Sequence, residues 1–212
     1  MIHLDGAERS FSYWRDSSAA RLLAADAEFL SRQMEQADAL YFSGITLAIL
    51  TDADRAVLLD ALVKAKAEGK LIAFDPNIRP ALWTDETKMR DSIMQAAGCS
   101  SLVLPSFDDE AEHFDDADLE ATARRYQSAG APLVVVKNGP GEMLVAEGKA
   151  RLSLNTPLVD NPVDTTGAGD SFNGGFLADY LVHRDLQQAV RAAQICSAQV
   201  ICHYGALIPM DA

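Results

Sequence analysis

Leu71-Ile72-Ala73-Phe74, running straight into Asp75-Pro76-Asn77, is the stretch on which the fold turns. Four consecutive apolar residues show no alternation, so the strand they predict is buried on both faces. The turn residues that follow mark its end. Just upstream, Asp52 to Lys66 repeats apolar residues at Val57/Leu58, Ala61/Leu62 and Ala65, which is helix spacing. Gly69 stops that helix where a left-handed cap costs little. Downstream, residues 86–97 predict a helix leading into a strand at Ser101-Leu102-Val103-Leu104-Pro105. Residues 119–129 predict another, leading into Pro132-Leu133-Val134-Val135-Val136-Lys137. One cycle earlier, the Ala-rich residues 19–37 read as a helix ahead of a strand at Ala39-Leu40-Tyr41-Phe42-Ser43-Gly44. Helices alternating with unbroken apolar strands specify an α/β fold, a doubly wound and mainly parallel sheet flanked by helices.

Sheets of this kind bind ligands beyond the C-terminal ends of their strands. The segments expected there are Ser43-Gly44-Ile45-Thr46, Asp75 to Arg79, Pro105-Ser106 to Glu110, and Lys137-Asn138-Gly139, which together predict one shared mouth. After residue 140 the pattern changes. Met143–Ala146 and Ala150–Leu154 flank Glu147-Gly148-Lys149 and predict a hairpin. Two helices follow: one starts near Gly169, and the other, over residues 185–203, carries Ala189, Ala193, Cys196 and Val200 on one stripe. At the other end, residues 2–4 and 10–15 read as short strands around the turn Asp5-Gly6-Ala7-Glu8.

Composition narrows the function. The 212 residues are 49% hydrophobic, too apolar for a disordered chain. With 18 basic and 31 acidic residues the net charge is −13, which excludes non-specific polyanion binding and sets nucleic acid aside. Single helix ends and single cations still decide whether a small anion binds. Cys99, Cys196 and Cys202 form no CxxC pair and are odd in number, which argues against a disulfide framework or a zinc site. No apolar run approaches the roughly 18 residues of a membrane span. Residues 1–10 hold Asp5, Glu8 and Arg9 and lack the apolar core of a signal peptide. A reducing cytoplasm is the expected compartment, with no membrane partner.

The chemistry sits in Asp164-Thr165-Thr166-Gly167-Ala168-Gly169-Asp170-Ser171-Phe172-Asn173-Gly174-Gly175-Phe176. Small residues opening a helix whose face is Phe172, Phe176 and Leu177 leave backbone N–H groups accessible at close range. With the helix dipole they make an anion site. An acid in that first turn opposes simple phosphate binding. It suits a base that takes a proton from a neutral hydroxyl while the amides hold a phosphoryl group. Gly174-Gly175 predicts close packing of this helix on a neighbour. Other phosphate loops are excluded: there is no GxxxxGK, and Phe172 stands where GxGxxG needs its third glycine.

This run resembles the C-terminal signature of the PfkB, or ribokinase-like, carbohydrate kinases. The resemblance extends along the chain through Phe74-Asp75-Pro76-Asn77-Ile78-Arg79, Leu104-Pro105-Ser106, Val135-Val136-Lys137 and Gly205-Ala206-Leu207-Ile208-Pro209. Phe11-Ser12-Tyr13-Trp14-Arg15 and Ser43-Gly44-Ile45-Thr46 look like the 2-keto-3-deoxygluconate kinase branch. The resemblance implies a ribokinase-like fold and transfer of the ATP γ-phosphoryl group to a sugar acid's primary hydroxyl, with Mg²⁺. Asp170 would be the base, and the N–H groups of Gly167, Ala168 and Gly169 the anion hole. Tyr13, Arg15 and Arg79 would hold the sugar acid, the arginines facing its carboxylate. Ser106 and Asp109 fall at the family's Asn-x-x-Glu position, which orders phosphate and metal; both differ from it. Lys137, Gly139 and residues 193–205 would line the nucleotide site, although Gly141-Glu142 stand where the family's glycine comes one place later. A monovalent cation near Asp164 and a homodimer through the lid are further expectations.

Family members carry an N-terminal third ahead of the part matched here. On that reading residues 1–16 are partial lid strands, and residues 17–212 are the C-terminal two-thirds of the kinase domain. Two alternatives stay open: a non-catalytic nucleotide-binding remnant, and a sibling kinase for a neutral sugar or nucleoside. Several site residues also have plainer readings. Arg79 suits a solvated loop, Arg15 a strand edge, Lys137 a solvated strand end, and Asp108-Asp109-Glu110 a helix N-terminus.

Overall fold

A computed structural model describes residues 2–5, 8–11 and 18–208, the first two stretches as backbone. It divides into two compact units, residues 1–102 with 129–131, and residues 103–128 with 132–212.

In the first unit, β1 (Ile2–Asp5) and β2 (Glu8–Phe11) pair antiparallel, with Ile2 opposite Phe11 and Asp5 opposite Glu8. β2 starts two residues earlier than expected, and Gly6 and Ala7 of the expected turn lie outside the described residues. Tyr13 and Arg15 lie outside the described residues. The helix expected over residues 19–37 is broken. A 3-10 turn spans Ala19–Leu22, and α1 (Ala27–Glu35) begins only where the Asp26 carboxylate accepts the Phe29 N–H at 2.9 Å. An aspartate binds free amides at a helix start better than it tolerates a helix interior. β3 (Ala39–Ser43) then feeds directly into a short helix, α2 (Gly44–Ile49), which the sequence pattern does not predict. α3 (Asp52–Ala67), β4 (Leu71–Asp75) and α4 (Glu86–Cys99) follow the expected cycle. β3 and β4 pair in parallel, and Phe42 stacks on Phe74 with ring centres 4.8 Å apart. Leu47, Leu58, Leu62, Ile72, Met89 and Ile93 fill this unit's core. Buried Arg55 donates to the carbonyls of Leu47 (2.9 Å) and Leu50 (3.1 Å), satisfying the end of α2.

β5 (Leu102–Val103) leads into the second unit. There α5 (Phe107–Phe114) and α6 (Leu119–Ala129) precede β6 (Leu133–Val136), and the predicted hairpin is β7 (Glu142–Glu147) with β8 (Ala150–Asn155). α7 (Ala168–His183) and α8 (Leu186–Ile201) close the chain. The strand order β3-β4-β5-β6-β7-β8 follows the chain. The sheet is mixed: β6, β7 and β8 are antiparallel neighbours, while a parallel bridge joins Ser106 to Lys137. All four residues of β6 are buried, whereas β8 alternates, as a strand covered on one face does. Phe172, Phe176, Val190 and Ala193 are buried with Val134–Val136 and Met143.

The close packing expected of Gly174-Gly175 belongs to Gly175 alone. A Cβ there would lie 3.0 Å from both the Ala193 Cα and the Cys196 Cβ of α8, while one at Gly174 would meet nothing. Cys99, Cys196 and Cys202 are free thiols. Among the described residues no helix is long and apolar enough to cross a membrane.

Candidate functional site

A cavity of about 430 Å³ opens in the second unit. Its wall is built by Ser106, Phe107 and Asp108 at the start of α5, Lys137 and Gly139 after β6, and Met143 on β7. Residues 156–159, the first turn of α7 (Ala168, Gly169, Phe172), and Gln194, Ser197, Ala198 and Ile201 of α8 complete it. Ser106, Lys137, Gly139, Ala168, Gly169 and the 193–205 segment, predicted from positions far apart in the chain, therefore share one cavity. Asp109 does not line it; Asp108 does. The segment is helical from Phe107, so neighbouring side chains point about 100° apart and only one of the two acids faces the cavity.

The first turn of α7 has the geometry of an anion cradle. Gly167, its N-cap, has φ +78°, and a Cβ there would fall 2.7 Å from the Ala206 Cβ, so only glycine fits without displacement. Asp164 pins the loop from both carboxylate oxygens, one accepting from the Thr166 N–H (2.7 Å) and the other from the Gly205 N–H (3.0 Å). Of the three amides expected to form the hole, that of Ala168 already donates to the Thr165 carbonyl at 3.2 Å. The amides of Gly167 and Gly169, and that of Asp170 itself, have no acceptor among the described residues. The Asp170 side chain is exposed, and no described residue bonds or ion-pairs with it.

Lys137 does not follow its plainer reading. It is only 8% exposed, and its Nζ donates to Oδ1 of Asn173, itself buried, at 3.1 Å. That ammonium lies 3.6 Å from where a Cβ on Gly169 would stand. Its backbone is tied to the start of α5, where the Lys137 carbonyl accepts the Phe107 N–H at 2.8 Å.

Elsewhere in the same unit, sequence reasoning missed a buried polar cluster. Glu110, fully buried, accepts from the Tyr126 hydroxyl (2.9 and 3.0 Å) and from Arg125 (2.7 Å). Arg125 also pairs with Asp116 at 2.6 Å and lies over the Phe114 ring at 3.8 Å. Burial outweighs these donors and pushes the Glu110 carboxyl up to about 7. The available signal was spacing: Glu110 falls between Phe107 and Phe114 on one helical stripe. Gln194, inside the predicted 193–205 segment, donates its amide to the Asn155 carbonyl at 3.1 Å beside the cavity.

In the first unit, Gly44 and Pro76 belong to two of the segments expected at the strand ends, and they meet. A Cβ on Gly44 would sit 1.9 Å from the Pro76 oxygen, so a side chain cannot be accommodated. Asp75 is buried and accepts from the Tyr41 hydroxyl (3.4 Å) and the Asn77 N–H (3.2 Å). Arg79 is exposed and donates to the neighbouring Ile78 carbonyl at 2.6 Å. Among the described residues no group of three or more His, Cys, Asp or Glu side chains could hold a metal ion.

An amide cradle at a helix start, an acid one residue further on with no partner among the described residues, and a lysine beside them make a centre suited to phosphoryl transfer. The family model for pfkB family carbohydrate kinases matches residues 1–212, and the chain belongs to that family. It is 37% identical to a 2-dehydro-3-deoxygluconokinase from Dickeya dadantii, over 97% of this chain and 68% of that one. The solved PfkB protein from Polaromonas sp. JS666 superposes with a TM-score of 0.81 at 27% identity, covering 95% of this chain and 65% of that one. A fructokinase from Vibrio cholerae O395, solved with fructose, ADP and calcium ion bound, gives a TM-score of 0.70 at 28% identity, covering 79% of this chain and 56% of that one. The chain thus spans about two thirds of the length of the first of these and less of the others.

Proposed function

We propose that this chain carries the phosphoryl-transfer centre of an ATP-dependent kinase acting on the primary hydroxyl of 2-keto-3-deoxygluconate. One observation carries the reading: Asp170 stands exposed in the first turn of α7, with no partner among the described residues, beside amides that have no acceptor among them. Asp170 takes the hydroxyl proton as the sugar oxygen bonds to the γ-phosphorus. The bond to the β-phosphate oxygen breaks and ADP leaves with its electron pair. The Gly167 and Gly169 amides hold the oxygens of the moving group, where fixed donors stabilise developing charge without reorganisation. Ser106, Lys137 and Gly139 form the nucleotide side of the cavity.

Mg²⁺ belongs to the proposal as a phosphate-bound ion. Among the described residues the cavity wall presents one carboxylate, Asp108, and ions of this kind are held by one or two carboxylates plus substrate phosphates. When bound it would neutralise charge on the β- and γ-phosphates. Asp109, at the family's Asn-x-x-Glu position, stays the proposed ligand on the phosphate-bound ion, with Asp108 in the cavity wall beside it. A monovalent cation near Asp164 would share a carboxylate that already accepts two backbone amides. Tyr13, Arg15 and Arg79 remain the proposed sugar-acid contacts, since two arginines suit a substrate with a carboxylate. The proposed setting is cytoplasmic, and a homodimer through the lid accompanies it.

Support for the sugar acid comes from the Dickeya relative, which is named for that reaction. The test is label transfer from [γ-³²P]ATP with Mg²⁺ to 2-keto-3-deoxygluconate, fructose and ribose in parallel. The expected result is a labelled sugar acid formed at least tenfold faster than either neutral product. Preference for a neutral sugar overturns the substrate. ATP-dependent thermal stabilisation with no labelled product overturns catalysis and favours a nucleotide-binding protein.

A further inference from the structure

We infer that Ser197 is a positioning residue: from α8 its hydroxyl holds the Ala168–Gly169 peptide at the start of α7, so that the Gly169 N–H is aimed at an anion in the cavity. The inference rests on reading the cavity as a nucleotide site. The first turn of α7 has little of its own to fix it. Gly167, Ala168 and Gly169 carry no side chain larger than a methyl, and the N-cap, Gly167, makes no side-chain cap bond. Hydroxyls hold the turn by its carbonyls instead. Ser171 donates to the carbonyls of Gly167 (2.8 Å) and Ala168 (3.0 Å), sharing one hydrogen between them. Ser197 donates its single hydrogen to the Ala168 carbonyl at 3.0 Å. Ser197 itself lines the cavity, but that hydrogen is committed to the backbone. A serine inside a helix commonly bonds back to carbonyls of its own helix, as Ser171 does. Ser197 crosses to another helix instead. Its short side chain reaches because α7 and α8 pack closely: a Cβ on Gly175 would stand 3.0 Å from the Ala193 Cα. The Ala168 carbonyl and the Gly169 N–H belong to one peptide group, and no described peptide bond is cis. The two therefore point in opposite directions in one plane. Pinning the carbonyl on α8 directs the N–H the other way, and Gly169 lines the cavity with that N–H lacking an acceptor among the described residues. A bond accepted by the carbonyl also polarises the peptide and strengthens its N–H as a donor.

The test is Ser197→Ala, with ATP and AMP affinities measured by calorimetry in the presence of Mg²⁺ on the full chain. Wild type is expected to prefer ATP, and S197A to lose about fivefold of ATP affinity while AMP affinity shifts less than about twofold. Ser197→Cys keeps the shape with a weaker donor and should lose ATP affinity in the same way, which serves if S197A does not fold. Ser197→Thr keeps the hydroxyl and should retain at least about half of the ATP-over-AMP preference. Equal losses for ATP and AMP, or a threonine variant as poor as S197A, overturn positioning and leave a structural role. A preference that survives S197A or S197C undiminished overturns the inference alone. A wild type without ATP-over-AMP preference overturns both this inference and the nucleotide reading.

Discussion

Asp170 and Glu110 are both carboxylates within the first four residues of a helix in the second unit, and their surroundings are opposite. Asp170 is exposed and unpartnered among the described residues. Glu110 has no exposed surface and accepts from Tyr126 and Arg125. The first acid contributes nothing to packing, so its lone pairs stay available to a substrate proton. The second is consumed by the fold: it joins α5 to α6, and α5 begins in the wall of the cavity. Burial alone does not mark a functional acid. Here the buried carboxyl is the structural one, and the proposed base is the accessible one beside amides with no acceptor among the described residues.

Five substitutions would break or sharpen that contrast. The largest effect is expected from Asp170→Asn, which should slow phosphoryl transfer about 10³-fold, the range for losing a general base. Its melting temperature should stay within about 1 °C of wild type, read by calorimetry. Glu110→Ala should do the reverse, costing about 3 kcal/mol in urea unfolding, because Arg125 loses one buried partner and Tyr126 its acceptor. A drop in melting temperature for D170N as large as that for E110A would erase the distinction.

Next in size is a pH effect. The folded chain keeps the Glu110 proton up to about pH 7, whereas an unfolded chain releases it near 4.5. The native state therefore binds more protons across that window, and its stability falls as pH rises through it, then levels off. Glu110→Gln should remove about 2 kcal/mol of that slope between pH 4.5 and 7, measured as the difference in unfolding free energy from wild type. Smallest is the glycine pair. Gly175→Ala forces a methyl against α8 and should destabilise by about 1–2 kcal/mol. Gly174→Ala enters open space on a helix and should stabilise by about 0.5–1 kcal/mol.

Much of this was legible in the sequence where local pattern and burial agree. α3, β4, α4, α6, β6 and the β7–β8 hairpin follow from apolar spacing and turn residues, because each element's own period reports the face it buries. The cradle was legible for a related reason: small residues at a helix start are a local requirement. What escaped depends on partners distant in the chain. Asp26 could as well have sat inside a helix as begun one. α2 is only six residues long, and Gly44 is needed because the Pro76 carbonyl lies against it, 32 positions away. Glu110 read as one of three acids at a helix N-terminus, whereas Arg125 and Tyr126, a helix further on, close around it. Asn173 was visible in the motif, but its bond to Lys137 crosses 36 positions. Which of Asp108 and Asp109 lines the cavity is set by helical rotation, not chain order.

The most direct measurement follows the backbone amides of residues 167–170 by ¹⁵N NMR during titration with ATP and Mg²⁺. The account predicts that the Gly167 and Gly169 signals move, further with ATP than with AMP, while those of Arg125 and Tyr126 stay put. ATP binding that leaves both glycine amides unmoved would contradict it.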